Sequence, residues 1–313
     1  MTAHHHNHVH DHGHAQAPRK PAFVLALVIT GAYALVELVG GLWTGSLALL
    51  GDAGHMLSDT LALGLAAIAA NLAQRPAGHK HSYGWERAEV IGALVNSVLL
   101  LAIVLVLVVE AVIRLRAPEP VAATGMMLIA FVGLLLNALV AWIMSRGERT
   151  LNSRAALLHV LSDLVSSFAA LVAGAVIYMT GWLPIDPILS LVIAVLILFS
   201  TLRLLRDALH VLMEGVPPAL DLAEIGRSLA TLPGVMSVHD LHVWSIVPGK
   251  VALSAHVEIA ELQQWPAILA SAGTLLHDRY GIGHITLQPE TPGAPGRGQT
   301  SVIRLWPRGR PRG

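Results

Sequence analysis

The chain has 313 residues, of which 54% are apolar and 13% charged, and its mean hydropathy is +0.64. Soluble domains carry about a quarter charged residues, so this composition describes a membrane protein. A formal net charge of +0 provides no field for nucleic acid, and the absence of cysteine excludes disulfides and thiolate metal sites, leaving 17 histidines as the main metal-ligating resource.

Residues 1–20 hold seven of those histidines, His4, His5, His6, His8, His10, His12 and His14. They are too polar for a signal peptide and cannot build a core, so they read as a disordered tail that binds metal weakly. Six apolar segments follow, at about 22–43, 47–73, 90–113, 121–144, 155–180 and 184–205. Each reaches the roughly 20 residues that cross about 30 Å of hydrocarbon, and backbone groups in lipid must pair internally, so all six are expected to be helices. Only Thr44-Gly45-Ser46 separates the first two, which forces an antiparallel hairpin. Arg19, Lys20, Arg75, Lys80, Arg87, Arg146, Arg149, Arg154, Arg203 and Arg206 fall on one side, against Arg114 and Arg116 on the other. The positive-inside rule therefore places both termini in the cytoplasm, and a bacterial inner membrane is expected.

The transmembrane domain is thus 21–207, followed by a linker at 208–218 with Gly215, Pro217 and Pro218. Residues 219–291 read as a soluble α+β unit of order αββαβ. Its helices are expected at Ala219–Leu232 and Glu261–Arg279, and its strands at Val235–Ile246, Lys250–Ile259 and His284–Gln288. Residues 292–313, rich in Pro, Gly and Arg, are expected to be disordered.

Two apolar spans carry chemistry. Gly51-Asp52-Ala53-Gly54-His55-Met56-Leu57-Ser58-Asp59 has an echo in Leu158-His159-Val160-Leu161-Ser162-Asp163. In each, His precedes Asp by four residues, which stacks both side chains on one helical face. Ionisable groups in hydrocarbon are costly and mark ion paths. Two imidazoles and two carboxylates would supply a tetrahedral N₂O₂ shell that suits zinc and also accommodates Cd2+, Co2+ or Ni2+. Asp52 shares the stripe of His55 and Asp59, and Glu37 lies deep in the first span; both read as supporting groups or part of the path. Asn96 and Asn137 read as cross-bonds between helices. In the soluble unit, alternation along the first strand opposes Asp240 and His242 to Leu241 and Val243, which favours His242 as partner of His256.

These motifs, together with the loop His81-Ser82-Tyr83-Gly84-Trp85-Glu86-Arg87-Ala88-Glu89-Val90 and the stretches Val238–Ser245 and Leu253–Val257, resemble the cation diffusion facilitator family over about residues 20–290. The resemblance implies a homodimer of six-helix protomers, each with a ferredoxin-like cytoplasmic domain, that exports divalent metal from the cytosol in exchange for protons. It places His55, Asp59, His159 and Asp163 in the pattern of the zinc-preferring subgroup, with Zn2+ as cargo and protons as counter-ion. It points to His239, with His256, His284 and Glu290, as a cytoplasmic site for a structural or regulatory Zn2+, whereas alternation points to His242. Some members bind metal in the loop after the second helix. His79 and His81 stand there, but Trp85 and Gly78 occupy positions where relatives carry ligands.

Transport outranks the other readings. An intramembrane zinc hydrolase needs an open metal position and a nearby base, and the chain has no His-Glu-x-x-His sequence. A passive channel conflicts with multidentate binding. A membrane-anchored metal sensor would be favoured if the intramembrane residues were dispensable.

Overall fold

The computed structural model describes residues 21–75, 78–145, 151–292 and 306–307; the His-rich tail 1–20 and most of 292–313 lie outside the described residues. The chain divides into two compact units, Met1–Leu61 with Leu99–Phe199, and Ala62–Val98 with Ser200–Gly313.

The expected six spans are helices α1 (Pro21–Thr44), α2 (Leu47–Ala73), α3 (Ala88–Arg116), α4 (Ala123–Ser145), α5 (Leu151–Thr180) and α6 (Ile185–Leu212). Five are long and apolar enough to cross a membrane, and the described side chains of α1, from Val28 to Thr44, form a shorter apolar helix. The end of α6 differs from expectation, running to Leu212 rather than stopping near 205. Hydropathy marks where the hydrocarbon ends, not where the helix does. Arg206, Asp207 and His210 are compatible with helix, and no breaker intervenes before Gly215 and Pro217.

The core of the first unit brings together Leu49 of α2, Leu100 and Val104 of α3, Met126 of α4, Ala170 of α5 and Ile193 of α6. Lipid tails are as apolar as leucine, so packing and cross-bonds rather than hydrophobic exclusion draw such helices together. Small residues permit the close approaches. A Cβ on Gly133 of α4 would lie 2.2 Å from the Tyr33 hydroxyl of α1, and that hydroxyl donates to Ile129 O of α4 at 2.8 Å. Asn137 Nδ2 of α4 donates to Ser167 Oγ of α5 at 3.2 Å, the cross-bonding role expected of it.

In the second unit lie α7 (Leu222–Ala230), β1 (Val235–Val247), β2 (Lys250–Ile259), α8 (Trp265–Tyr280), β3 (His284–Glu290) and β4 (Trp306–Pro307). The sheet order is β3-β2-β1-β4, with β1 antiparallel to β2 and β4, and β2 parallel to β3. This is the expected αββαβ arrangement, extended by the two-residue β4 from within the 292–313 segment. Asp221 caps α7 by accepting from Ala223 N at 2.8 Å, which is why the helix starts later than the expected Ala219. Ile225, Leu229, Leu241, Leu253, Leu276 and Ile282 form the core between the helices and the sheet. Between β1 and β2, Gly249 takes a φ of +84°, which only glycine adopts without strain.

Gly133→Val should lower the thermal unfolding midpoint of the detergent-solubilised protein, because overfilling a packed contact costs about 1–3 kcal/mol. An unchanged midpoint would show that α1 and α4 do not depend on this close approach.

Candidate metal centres

The intramembrane candidates occupy α1, α2 and α5. On α2, His55 Nε2 lies 3.4 Å from Asp59 Oδ2, so the i,i+4 spacing does bring the pair together. Asp163 of α5 is buried, as are Asp52 of α2 and Glu37 of α1. His159 stands one turn before Asp163 on α5, and its side chain lies outside the described residues. Tyr33 sits 3.3 Å from Glu37 Oε1, and the Glu37 carboxylate feels the charges of both Asp52 and Asp163. Glu37 thus has acidic neighbours on both α2 and α5. α1 and α2 contain no lysine or arginine, and α5 carries Arg154. The described atoms of His55, Asp59 and Asp163 do not all converge to within 4.8 Å of one another. Tyr33 was not singled out in the sequence, although it lies four residues before Glu37 on the same stripe of α1.

The α2–α3 loop is compact. Gly78 and His81 exchange backbone hydrogen bonds at 3.1 Å, and the His81 ring packs on Trp85 with centroids 4.4 Å apart. His79 and His81 are both exposed, and neither joins a ligand cluster among the described residues. Trp85 gives His81 an aromatic face to rest on. The loop is tied to the sheet by Lys250 Nζ, 2.7 Å from Glu86 Oε1, and by Tyr83, whose ring lies 5.8 Å from that of His284.

Among the described residues, one group brings three ligand atoms within 4.8 Å of one another: His239, His256 and Glu290. Glu290 Oε1 is 2.7 Å from His256 Nδ1, and Glu290 Oε2 is 3.2 Å from His239 Nε2. The two imidazoles meet edge to face, with centroids 5.3 Å apart. Two neutral imidazoles and a carboxylate suit zinc, with a fourth position left over.

The strand register explains why alternation misled. His239 pairs with His256 and His242 with Ser254, so two residues of β1, Asp240 and Leu241, oppose the single Ala255. This is a β-bulge, and Asp240 carries it with a φ of +50°, a conformation for which Asp is among the few tolerant side chains. The extra residue reverses the parity of the strand upstream. His239 therefore stands opposite His256, while His242 lies further along with its Nε2 3.0 Å from Asp240 Oδ1. His284 is also placed apart. It opens β3 opposite Ala252, at the other end of the strand from Glu290.

Residues 23–213 match the cation efflux transmembrane domain, and residues 217–292 match the cytoplasmic domain of cation efflux proteins. Zinc transporter ZitB of Escherichia coli strain K12 is 44% identical over 268 residues, covering 85% of each chain. A cadmium, cobalt and zinc/H(+)-K(+) antiporter of Bacillus subtilis strain 168 is 41% identical over 281 residues, covering 88% of this chain and 90% of the relative. The metal cation efflux system protein CzcD of Cupriavidus metallidurans is 38% identical over 268 residues, again 85% of each. The two domains follow one another along the chain, from residue 23 to residue 292. This protein belongs to the cation efflux family: it is a multi-pass membrane transporter with a cytoplasmic C-terminal domain, not an enzyme.

Proposed function

We propose that the protein exports Zn2+ from the cytosol in exchange for protons by alternating access, with His55, Asp59, His159 and Asp163 as the transport ligands. What carries this reading is a set of acidic groups on three apolar helices, of which Glu37, Asp52 and Asp163 are buried. Glu37, Asp52 and Asp59 stand on α1 and α2, which hold no lysine or arginine, and Asp163 of α5 lies near Glu37. Several carboxylates in a low-dielectric bundle need either protons or a cation. A site neutralised by one or the other in turn is an exchanger.

The histidines sharpen the choice. A ligating imidazole must be neutral, so metal and protons compete for the same nitrogens, and metal binding releases protons. A protonated imidazole cannot ligate, so an acidified exterior opposes metal binding at His55 and His159. His and Asp on α2 with His and Asp on α5 make a four-ligand shell for zinc. The names of the relatives, zinc transporter and cadmium, cobalt and zinc antiporter, agree with this cargo and this exchange.

The cytoplasmic cluster is the second part of the proposal. His239, His256 and Glu290 hold a regulatory Zn2+, and two cytoplasmic domains associate in a homodimer. Cytosolic zinc then tunes transport through this domain, without that ion being cargo.

In proteoliposomes carrying a pH gradient, the parent protein should move zinc against protons. Asp163→Ala should lose at least the roughly 10–100-fold in metal affinity or activity that even the outer partners of metal ligands contribute. Zinc flux without any proton movement would refute the exchange, and undiminished flux in Asp163→Ala would favour the sensor reading. His256→Ala should raise the zinc concentration needed for half-maximal transport while retaining turnover. Asp240→Gly should leave zinc binding at the cytoplasmic cluster within about twofold, and Asp240→Val should weaken it by about tenfold, since β-branched residues resist positive φ. Equal affinities by calorimetry would separate the bulge from the site.

A further inference from the structure

The turn joining α1 to α2 is held from three other helices. Ser46 is the N-cap of α2, its Oγ accepting from Leu49 N at 3.3 Å. From the first turn of α6, the fully buried Asp186 completes the cap. Its Oδ2 accepts from Leu47 N at 2.8 Å, and its Oδ1 accepts from Ser46 Oγ at 2.6 Å and Ala48 N at 3.3 Å. With Leu50 N donating to Ser46 O at 3.3 Å, every backbone N–H from Leu47 to Leu50 has a partner. The positive ends of two helix dipoles, those of α2 and α6, meet at this one carboxylate. The carbonyl side of the turn is held as well. The Arg114 guanidinium of α3 donates to Gly45 O and is itself fixed by Glu110 at 2.9 Å, while Ala122 N, just before α4, donates to Thr44 O at 2.8 Å.

We propose that Asp186 is a positioning residue for transport: its cap fixes the outer end of α2, and the helix bearing His55 and Asp59 turns about that point. The proposal rests on the alternating-access reading above. Asp186 is unsuited to be a ligand, because three donors already occupy its oxygens. Withdrawing the start of α2 would leave a buried charge without partners, the most costly outcome for such a group. The conformational change therefore keeps this contact and acts further along the helix. His55 and Asp59 lie about 12 and 18 Å from Leu47 at 1.5 Å per residue. A rotation of about 10° about the cap shifts them by about 2 and 3 Å, comparable to a zinc–ligand bond of about 2.0–2.2 Å. Small rotations at a fixed pivot are thus sufficient to assemble and dismantle the shell.

The test uses the full chain in proteoliposomes, with zinc flux and calorimetric zinc binding measured in parallel. Asn presents one acceptor oxygen where the site offers three donors, so Asp186→Asn should lower kcat about tenfold or more while KM and the binding constant stay within about threefold. A merely structural lesion would lower the amount of active protein and leave the kcat of the remainder unchanged. The chain has no cysteine of its own, so Ser46→Cys with Asp186→Cys creates a unique thiol pair. Bridging that pair with a short bifunctional thiol reagent should restore the turnover the double variant loses. Parent-level kcat in Asp186→Asn, or a bridged protein that stays inactive, would overturn the proposal. Absence of flux in the parent would instead strike the transport reading itself.

Discussion

An ionisable side chain surrounded by hydrocarbon persists only with a partner, and this protein uses two kinds. Asp186 has protein donors on both of its oxygens, so its charge is settled within the fold and serves to hold helices. Glu37 of α1 has Asp52 of α2 and Asp163 of α5 as acidic neighbours, and His55 and Asp59 pair further along α2. The same physical rule thus separates the carboxylate that caps α2 from those we propose as the cation path.

Much of that distinction is legible in the sequence, but unevenly. Length and apolarity locate all six helices, because a bilayer imposes one minimum span and one backbone solution. The His-Asp pairs are legible for the same reason: four residues is nearly one helical turn, and α2 does place His55 beside Asp59. The helical overrun of α6 to Leu212 is less legible, because polar residues leave the membrane without leaving the helix. Asp186 went unremarked because an acidic residue in a first helical turn is ordinary. Its role depends on the start of α2, 139 positions earlier in the chain.

The cytoplasmic cluster shows a different limit. Strand alternation carries information only while the pairing register is intact, and one inserted residue reverses it. Nothing in Val238-His239-Asp240-Leu241-His242 announces that Asp240 adopts φ +50°, yet this alone decides that His239 rather than His242 meets His256. The family resemblance points to His239, His256, His284 and Glu290; the structure brings His239, His256 and Glu290 together and sets His284 at the far end of β3. The α2–α3 loop is a further contrast. There the family resemblance itself marks Trp85 in place of a ligand, and His81 packs on it.

The central claim is that zinc binds between α2 and α5 through two imidazoles and two carboxylates. X-ray absorption at the zinc edge would test it most directly, on protein lacking residues 1–20 and carrying His239→Ala and Glu290→Ala to remove the other binding groups. The account predicts a four-coordinate shell with two imidazole nitrogens and two carboxylate oxygens, all at about 2.0–2.2 Å. A six-coordinate oxygen shell without imidazole scattering would contradict it.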